Sequence, residues 1–244
     1  MAISSPPRGA GQSVPDRQWT LVSALILALV ALLALSTIVV VLLVRGGPPA
    51  SGVRGSGVAA TQSRVLPRFS RLDLAGSTTV TVVAGGRQSV VVRADSNLIR
   101  YVTTHVVAGT LVIGTTGSFT TRSPMNVQVS VPSLSAVTLS GSGEISVSRI
   151  QAARLTVWLP GSGVLYASGT AARLDVTLGG SGLAQLSNLI ARDAHAAVTG
   201  SGLIRVTATA NLNATVSGSG AVIYSGNPSQ VTRNVTGTGA VIPG

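Results

Sequence analysis

The sequence predicts an all-β fold, a parallel β-solenoid with rungs of roughly 19 residues, preceded by one transmembrane helix. Three observations predict it. A Gly-Ser-Gly phrase recurs from residue 141 onward, and subtracting successive first glycines gives steps of 20, 19, 20, 18 and 19. Alternating apolar residues flank the copies of this phrase. An uncharged stretch of 24 residues lies near the N-terminus. A fixed period of this length is the signature of a repeat architecture.

The six copies of the phrase predict a sharp corner in every rung, because glycine reaches positive φ without strain and is costly inside a helix. We therefore predict eighteen structural turn residues. They are Gly141, Ser142, Gly143, Gly161, Ser162, Gly163, Gly180, Ser181, Gly182, Gly200, Ser201, Gly202, Gly218, Ser219, Gly220, Gly237, Thr238 and Gly239. In a stack, the middle hydroxyls would form a hydrogen-bonded ladder or, alternatively, a sugar-binding row. A catalytic serine is disfavoured, since no Gly-x-Ser-x-Gly elbow is present.

The residues that flank each corner alternate between apolar and polar, which is typical of strands with one buried face. Leu155, Val157 and Leu159 precede one corner, and Leu165 and Ala167 follow it. Each rung is thus a strand, a glycine turn, a second strand and a looser polar corner. One rung cannot bury its apolar face alone, so several must stack.

The N-terminal part of the chain contains two predicted segments. Residues 1–20 are rich in Pro, Gly, Ser and Gln and predict a disordered tail. Residues 21–44 carry no charge and are long enough to cross a bilayer, with Trp19 at the boundary. The stretch is too long for the apolar region of a cleaved signal peptide, so we predict an uncleaved single-pass anchor. The arginines on its two sides do not decide the orientation.

The rest of the chain divides into a linker and the solenoid. Residues 45–63 are rich in Gly, Pro and Ser and predict a flexible linker. Residues 64–244 form the solenoid, with irregular opening rungs over 64–133 and regular Gly-Ser-Gly rungs over 134–244. The opening rungs would shield the first regular one, as solenoids require at their ends.

Two runs of the sequence resemble a known family. FSRLDLAGSTTVTVVAGGRQSVVVRADSNLIRYVTTHVVAGTLVIG and VSVPSLSAVTLSGSGEISV, followed by the repeated Gly-Ser-Gly strands, are similar to the bacterial auto-transporter adhesin, head GIN domain family. The resemblance covers about residues 65–244. It implies a single-stranded right-handed parallel β-helix outside the cytoplasm, with no established activity. The chain departs from an auto-transporter in carrying an N-terminal helix and no outer-membrane barrel.

The ionisable residues do not predict catalysis, a cofactor or a metal site. The chain has six carboxylates, and on neighbouring rungs the positions equivalent to Glu144 are apolar. A polysaccharide-cleaving β-helix needs clustered carboxylates. His105 and His195 are the only histidines and lie in different halves of the chain. There is no cysteine, which excludes thiolate chemistry and disulfides.

The net charge of +11 bears on the partners. No recognition helix or aromatic-basic motif accompanies it, so we predict no nucleic-acid binding. Arg154, Arg173 and Arg192 could line one corner as a basic stripe for an acidic polymer, or be solvated without a ligand. The arginines of residues 45–71 could likewise contact anionic lipid or cell-wall polymer, or serve only solubility.

Together these observations predict a non-enzymatic protein anchored in the cell membrane by residues 21–44, with the solenoid outside the cytoplasm. It would act as a cell-surface binding or envelope scaffold module, with a cell-wall polymer, glycan or protein as ligand. Two alternatives stay open. One is a carbohydrate-active β-helix enzyme, which an acidic cleft would indicate. The other is a cytoplasmic, membrane-tethered scaffold that self-associates through strand edges.

Overall fold

A computed structural model describes residues 52–244, and in them the predicted all-β solenoid is confirmed. The chain forms two ladders of strands whose inward side chains share one core. A short 3-10 turn spans Ile99–Tyr101. The strands are β1 (Val53–Arg54), β2 (Ala59–Arg64), β3 (Arg71–Leu74), β4 (Thr79–Ala84), β5 (Ser89–Asp95), β6 (Val102–Val107), β7 (Thr110–Thr115), β8 (Phe119–Thr120), β9 (Asn126–Val131), β10 (Ala136–Leu139), β11 (Glu144–Leu159), β12 (Val164–Leu178), β13 (Leu183–Val198), β14 (Leu203–Val216), β15 (Ala221–Ser225), β16 (Gln230–Val235) and β17 (Ala240–Pro243).

The regular rungs are built from four long strands, β11 to β14, which pair in parallel. Each begins after a Gly-Ser-Gly corner, bends at an irregularity near its middle and ends before the next corner. The first halves extend a ladder that also contains β4, β15 and β17, which we call the first ladder. The second halves extend a ladder with β3, β10 and β16, the second ladder.

The core follows the predicted alternation. Leu155, Val157 and Leu159 of β11 are at most 1% exposed, and Leu165 at the start of β12 is completely buried. Because equivalent residues of neighbouring rungs lie in register, each inward column is apolar along the stack. Burial of these columns is the main stabilising term of the fold.

The opening segment, predicted as irregular rungs, departs from the chain order of the regular rungs. In the second ladder the spatial order is β6, β7, β3, β10, so β7 lies beside β3 although β4, β5 and β6 come between them in the sequence. Likewise, β9 pairs with β4 and not with a strand next to it in the sequence. Three pairs are antiparallel: β2 with β5, β5 with β9, and β6 with β7. A two-residue turn at Ala108 and Gly109, both with positive φ, joins β6 to β7 and reverses the chain.

Residues 52–63 also differ from the expected flexible linker. They contain β1, which pairs with β8, and most of β2, which pairs with β5. The fully buried Asp95 fixes this segment, because its carboxylate accepts hydrogen bonds from the backbone N–H of Gly57 at 2.8 Å and of Arg122 at 2.8 Å. It also accepts from the backbone N–H and the hydroxyl of Ser123. A buried acceptor with four donors explains why this polar stretch is ordered.

The predicted tail over 1–20, the transmembrane helix over 21–44 and the first part of the linker lie outside the described residues. Within residues 52–244, no helix is long and apolar enough to span a membrane.

Candidate functional site

The Gly-Ser-Gly phrases lie at one corner of the stack, and the reason for their glycines differs from the positive φ that the sequence suggests. Of the twelve glycines, only Gly237 has a positive φ. A Cβ atom on Gly161 or Gly180 would lie within 3.0 Å of the carbonyl oxygen of the first glycine one rung earlier, a separation that Cβ atoms do not show. The same holds for the other copies. The glycines are therefore required by the close approach of stacked backbones.

This corner extends one rung further than the sequence indicated. A Cβ atom on Gly141 would clash with the carbonyl oxygen of Gly76, and the Gly143 N–H donates to the same oxygen at 3.2 Å. Gly76-Ser77-Thr78 is thus a degenerate copy of the phrase, with Thr78 at the position of the second glycine. Gly76 lies 65 residues before Gly141, whereas successive copies of the phrase are 18 to 20 residues apart. A search for the period therefore does not find it.

The middle hydroxyls of the phrases point away from the core. All six residues are exposed: Ser142, Ser162, Ser181, Ser201, Ser219 and Thr238. In the described part of the chain, one hydrogen bond joins two of them, from Thr238 to Ser219 at 3.0 Å. The row is therefore a solvent-facing edge in which most of the hydroxyls are available to a ligand or to water.

The outward surface of the second ladder carries the densest set of polar groups, and we call it the polar face. It consists of columns in which equivalent residues of successive rungs lie in register. Its members are Arg154, Thr156, Trp158, Arg173, Asp175, Thr177, Asp193, His195, Asn211, Asn213, Gln230 and Thr232.

Ion pairs organise one end of the polar face. The Asp175 carboxylate lies 3.4 Å from Nε of Arg154 and 3.4 Å from Nε of Arg173. The predicted basic stripe is therefore partly neutralised. Arg192 does not continue it, because Asp193 occupies the register position beside Arg173. The next residue of this column, Asn211, donates from its amide to the Asp193 carboxylate.

A groove of about 360 Å³ opens at the other end of the polar face. It lies between the column of Arg173, Asp193 and Asn211 and the column of His195 and Asn213. Gln230 and Thr232 of β16 complete it. Carboxylate, amide, imidazole and hydroxyl groups thus converge on one concavity with both donors and acceptors.

Trp158 provides an exposed apolar surface on the polar face. Its side chain is 51% exposed and lies between Thr138 and Thr177 of the neighbouring strands. The outward surface of the first ladder is less polar, because Val164, Leu183 and Leu203 follow their corners in one register column. The two outer surfaces of the solenoid are therefore chemically distinct.

The arrangement supports binding better than catalysis or metal chelation. Asp175 is held between two guanidinium groups, and the Asp193 carboxylate accepts from Asn211. Within residues 52–244, no three His, Cys, Asp or Glu side chains are grouped to hold a metal ion. His105 lies on β6, several strands from His195 on β13. The sequence alone did not predict this face. The signal was present, because steps of one rung from Asp175 lead to His195, Asn213 and Thr232, which lie in one column.

Comparison with known proteins places the chain among related folds. A family model described as "Putative auto-transporter adhesin, head GIN domain" matches residues 68–228. Among curated proteins none matches the chain.

Solved structures from three proteins show the same fold. A putative adhesin from Bacteroides fragilis is 19% identical, with a TM-score of 0.67 over 79% of this chain and 100% of that one. A putative adhesin from Parabacteroides distasonis is 21% identical, with a TM-score of 0.50 over 80% and 100%. A putative lipid binding protein from the same species is 20% identical, with a TM-score of 0.51 over 80% and 100%.

Proposed function

The chain belongs to the putative auto-transporter adhesin, head GIN domain family, and from this premise we propose that it is a non-enzymatic binding module of the cell surface. In this proposal residues 21–44 anchor the protein in the membrane, and the solenoid is presented outside the cytoplasm. The ligand is an extended, hydroxyl-rich polymer, a glycan of the cell envelope or of another surface, which contacts the polar face.

The observation that carries the proposal is the repetition of polar groups in register. Neighbouring strands lie about 4.8 Å apart, so the columns of the polar face offer donors and acceptors at regular steps along the stack. Asn211 and Asn213 each present an amide with both kinds of group, and both residues are exposed. A ligand that itself repeats can pair with several rungs at once, which raises its affinity without any single strong contact.

Trp158 supports a sugar ligand in particular. The exposed indole of Trp158 leaves apolar surface in contact with water, which is unfavourable unless a ligand covers it. The C–H face of a sugar ring packs well on such an aromatic face. The hydroxyls of Thr138 and Thr177 on the neighbouring strands would then pair with the ring hydroxyls.

Binding to purified envelope glycans tests this function, with Trp158→Ala as the diagnostic variant. Tyr166→Ala is the matched control, because Tyr166 is 41% exposed on the outward surface of the first ladder. We expect Trp158→Ala to weaken glycan binding about tenfold, in line with an aromatic anchor, and Tyr166→Ala to leave it unchanged. Equal effects of the two variants, or no binding of any glycan by the wild type, would reject the polar face as a glycan site.

Protease treatment of intact cells that carry a tag after Gly244 tests the location. Loss of the tag from intact cells is expected. Protection that disappears only on lysis would exclude the surface function and favour the cytoplasmic scaffold.

A further inference from the structure

A second concave surface lies at the corner opposite the Gly-Ser-Gly phrases, and we call it the arginine groove. It consists of two adjoining depressions that share Pro132 and Ser133. The larger, of about 600 Å³, is lined by Arg68 and Arg87, and the smaller, of about 280 Å³, by Arg149. No aspartate or glutamate lines either depression.

The three guanidinium groups of the arginine groove have no carboxylate partners in the described part of the chain. Arg68, Arg87 and Arg149 are exposed. The two ion pairs that residues 52–244 form both use Asp175, with Arg154 and Arg173. The predicted basic stripe of the polar face is thus partly neutralised by Asp175, whereas the charges of the arginine groove are not.

The backbone at Arg149 favours a role for its side chain. Its φ is +60°, a left-handed conformation in which a non-glycine side chain is strained. Between Val147 and Ile150 the register of β11 with β12 shifts, and Arg149 is the additional residue of this bulge. Bulges of this kind redirect a side chain away from the ladder, and glycine would adopt the same backbone without strain.

The larger depression is rigidly built. The Gln88 side-chain amide donates to the carbonyl oxygens of Leu66 at 3.1 Å and Pro67 at 2.9 Å, and its oxygen accepts from the N–H of Phe69 at 3.3 Å. The Phe69 side chain is 6% exposed and packs in the core. These contacts fix the backbone of the segment that carries Arg68 against the turn that carries Arg87, so both arginines extend from fixed backbone positions.

We propose that the arginine groove binds the phosphate or carboxylate groups of a linear anionic polymer. Guanidinium groups recognise both anions through paired hydrogen bonds. Two joined depressions with three cations suit several anionic groups along one chain. A membrane surface fits less well, because none of the exposed large hydrophobic residues of the described chain lines the groove. This site lies apart from the polar face and does not depend on the proposed glycan function.

The test measures binding of the full chain in detergent to inorganic polyphosphate and to polygalacturonate at fixed salt, with neutral dextran as the reference. We expect Arg68→Gln and Arg87→Gln each to weaken polymer binding about three- to fivefold, the effect of losing one partly exposed ionic contact. Arg205→Gln removes the same charge from an exposed position on the outward surface of the first ladder and is expected to have no effect.

Arg149→Gly separates binding from folding. It relieves the left-handed strain, so the melting temperature should stay the same or rise while polymer binding falls. Unchanged binding by this variant, or an equal loss with Arg205→Gln, would overturn the proposal. Groove-dependent binding to phosphatidylglycerol vesicles without binding to either polymer would also overturn it and indicate a lipid headgroup instead.

Discussion

At the residue scale, the corner glycines serve a different purpose from the one that their sequence suggests. The period and the composition predict a turn at Gly180, and the usual reason for glycine in a turn is positive φ. The stacked backbone supplies the actual reason, because the carbonyl oxygen of Gly161 occupies the space that a Cβ atom would need. This contact joins two rungs, so the local sequence around one glycine cannot reveal it.

We therefore expect Gly180→Ala to destabilise the fold by about 1–3 kcal/mol, the usual cost of forcing atoms into a packed site. Ser181→Ala is the control, because this side chain is exposed, and its effect should stay within about 0.5 kcal/mol. Chemical unfolding of both variants measures the difference. Equal midpoints would show that the rungs separate at this corner without cost.

Asp95 gives the second prediction at this scale. The backbone N–H of Arg122 lowers the pKa of the Asp95 carboxyl most, burial opposes the shift, and the donors of Ser123 and Gly57 add to it. A carboxyl whose pKa is lower in the folded state stabilises the fold above its unfolded pKa of about 3.9. That stabilisation is lost as the pH falls through the folded value. We expect the unfolding free energy to decrease below about pH 4.

Asp95→Asn should lower stability at pH 7 and flatten the acid limb of the stability profile. Glu144→Gln is a suitable control, because Glu144 is exposed at the start of β11. An acid limb unchanged by Asp95→Asn would assign the pH dependence to another group.

At the scale of elements, the regular strands could be predicted and the opening ones could not. Alternation identifies β4, β5, β7 and β9 as strands, since each has a buried and an outward side. Their pairing depends on contacts between segments far apart in sequence, such as β10 lying beside β3 and not beside β9. A strand's own pattern does not specify its neighbour when every candidate presents the same apolar face.

The hairpin of β6 and β7 is the element whose turn can be improved. Ala108 has a φ of 47°, and its side chain is exposed. Asparagine tolerates this conformation better than alanine and is favoured in two-residue hairpin turns. We expect Ala108→Asn to stabilise the protein by about 0.5–1 kcal/mol in a thermal or denaturant unfolding measurement. A loss of stability would indicate that Ala108 makes a contact that the turn geometry does not explain.

At the scale of the whole molecule, the two proposed binding surfaces differ in how far the sequence reveals them. The polar face repeats with the rungs, so the period that predicts the fold also locates Asp175, His195 and Asn213 in one column. The arginine groove does not repeat. Arg68, Arg87 and Arg149 come from three segments that meet only because of the non-sequential order of the opening strands, and no spacing rule connects them.

A stack whose rungs contact only their neighbours should accept the removal of one whole rung. Deletion of residues 161–179 joins Pro160 to Gly180 and brings β11 beside β13. Both strands already pair in parallel with β12 at equivalent positions, so the apolar columns continue. The deletion also places Arg154 beside Asp193, where an ion pair can replace the one lost with Asp175. We expect a folded chain that unfolds cooperatively.

The deletion removes 19 of the 193 described residues, so the denaturant m-value should decrease by about a tenth. Deletion of residues 161–170 is the contrasting variant, because it removes the corner and the first half of β12 but keeps the second half. The remaining second half of β12, which normally lies in the second ladder, would then follow β11 directly and would have to occupy the first ladder. Its apolar side chains would be exposed there, so the chain should fail to fold. If both deletions fold equally well, the rung is not the cooperative unit of this solenoid. If neither folds, the opening strands and the later rungs depend on each other beyond nearest neighbours.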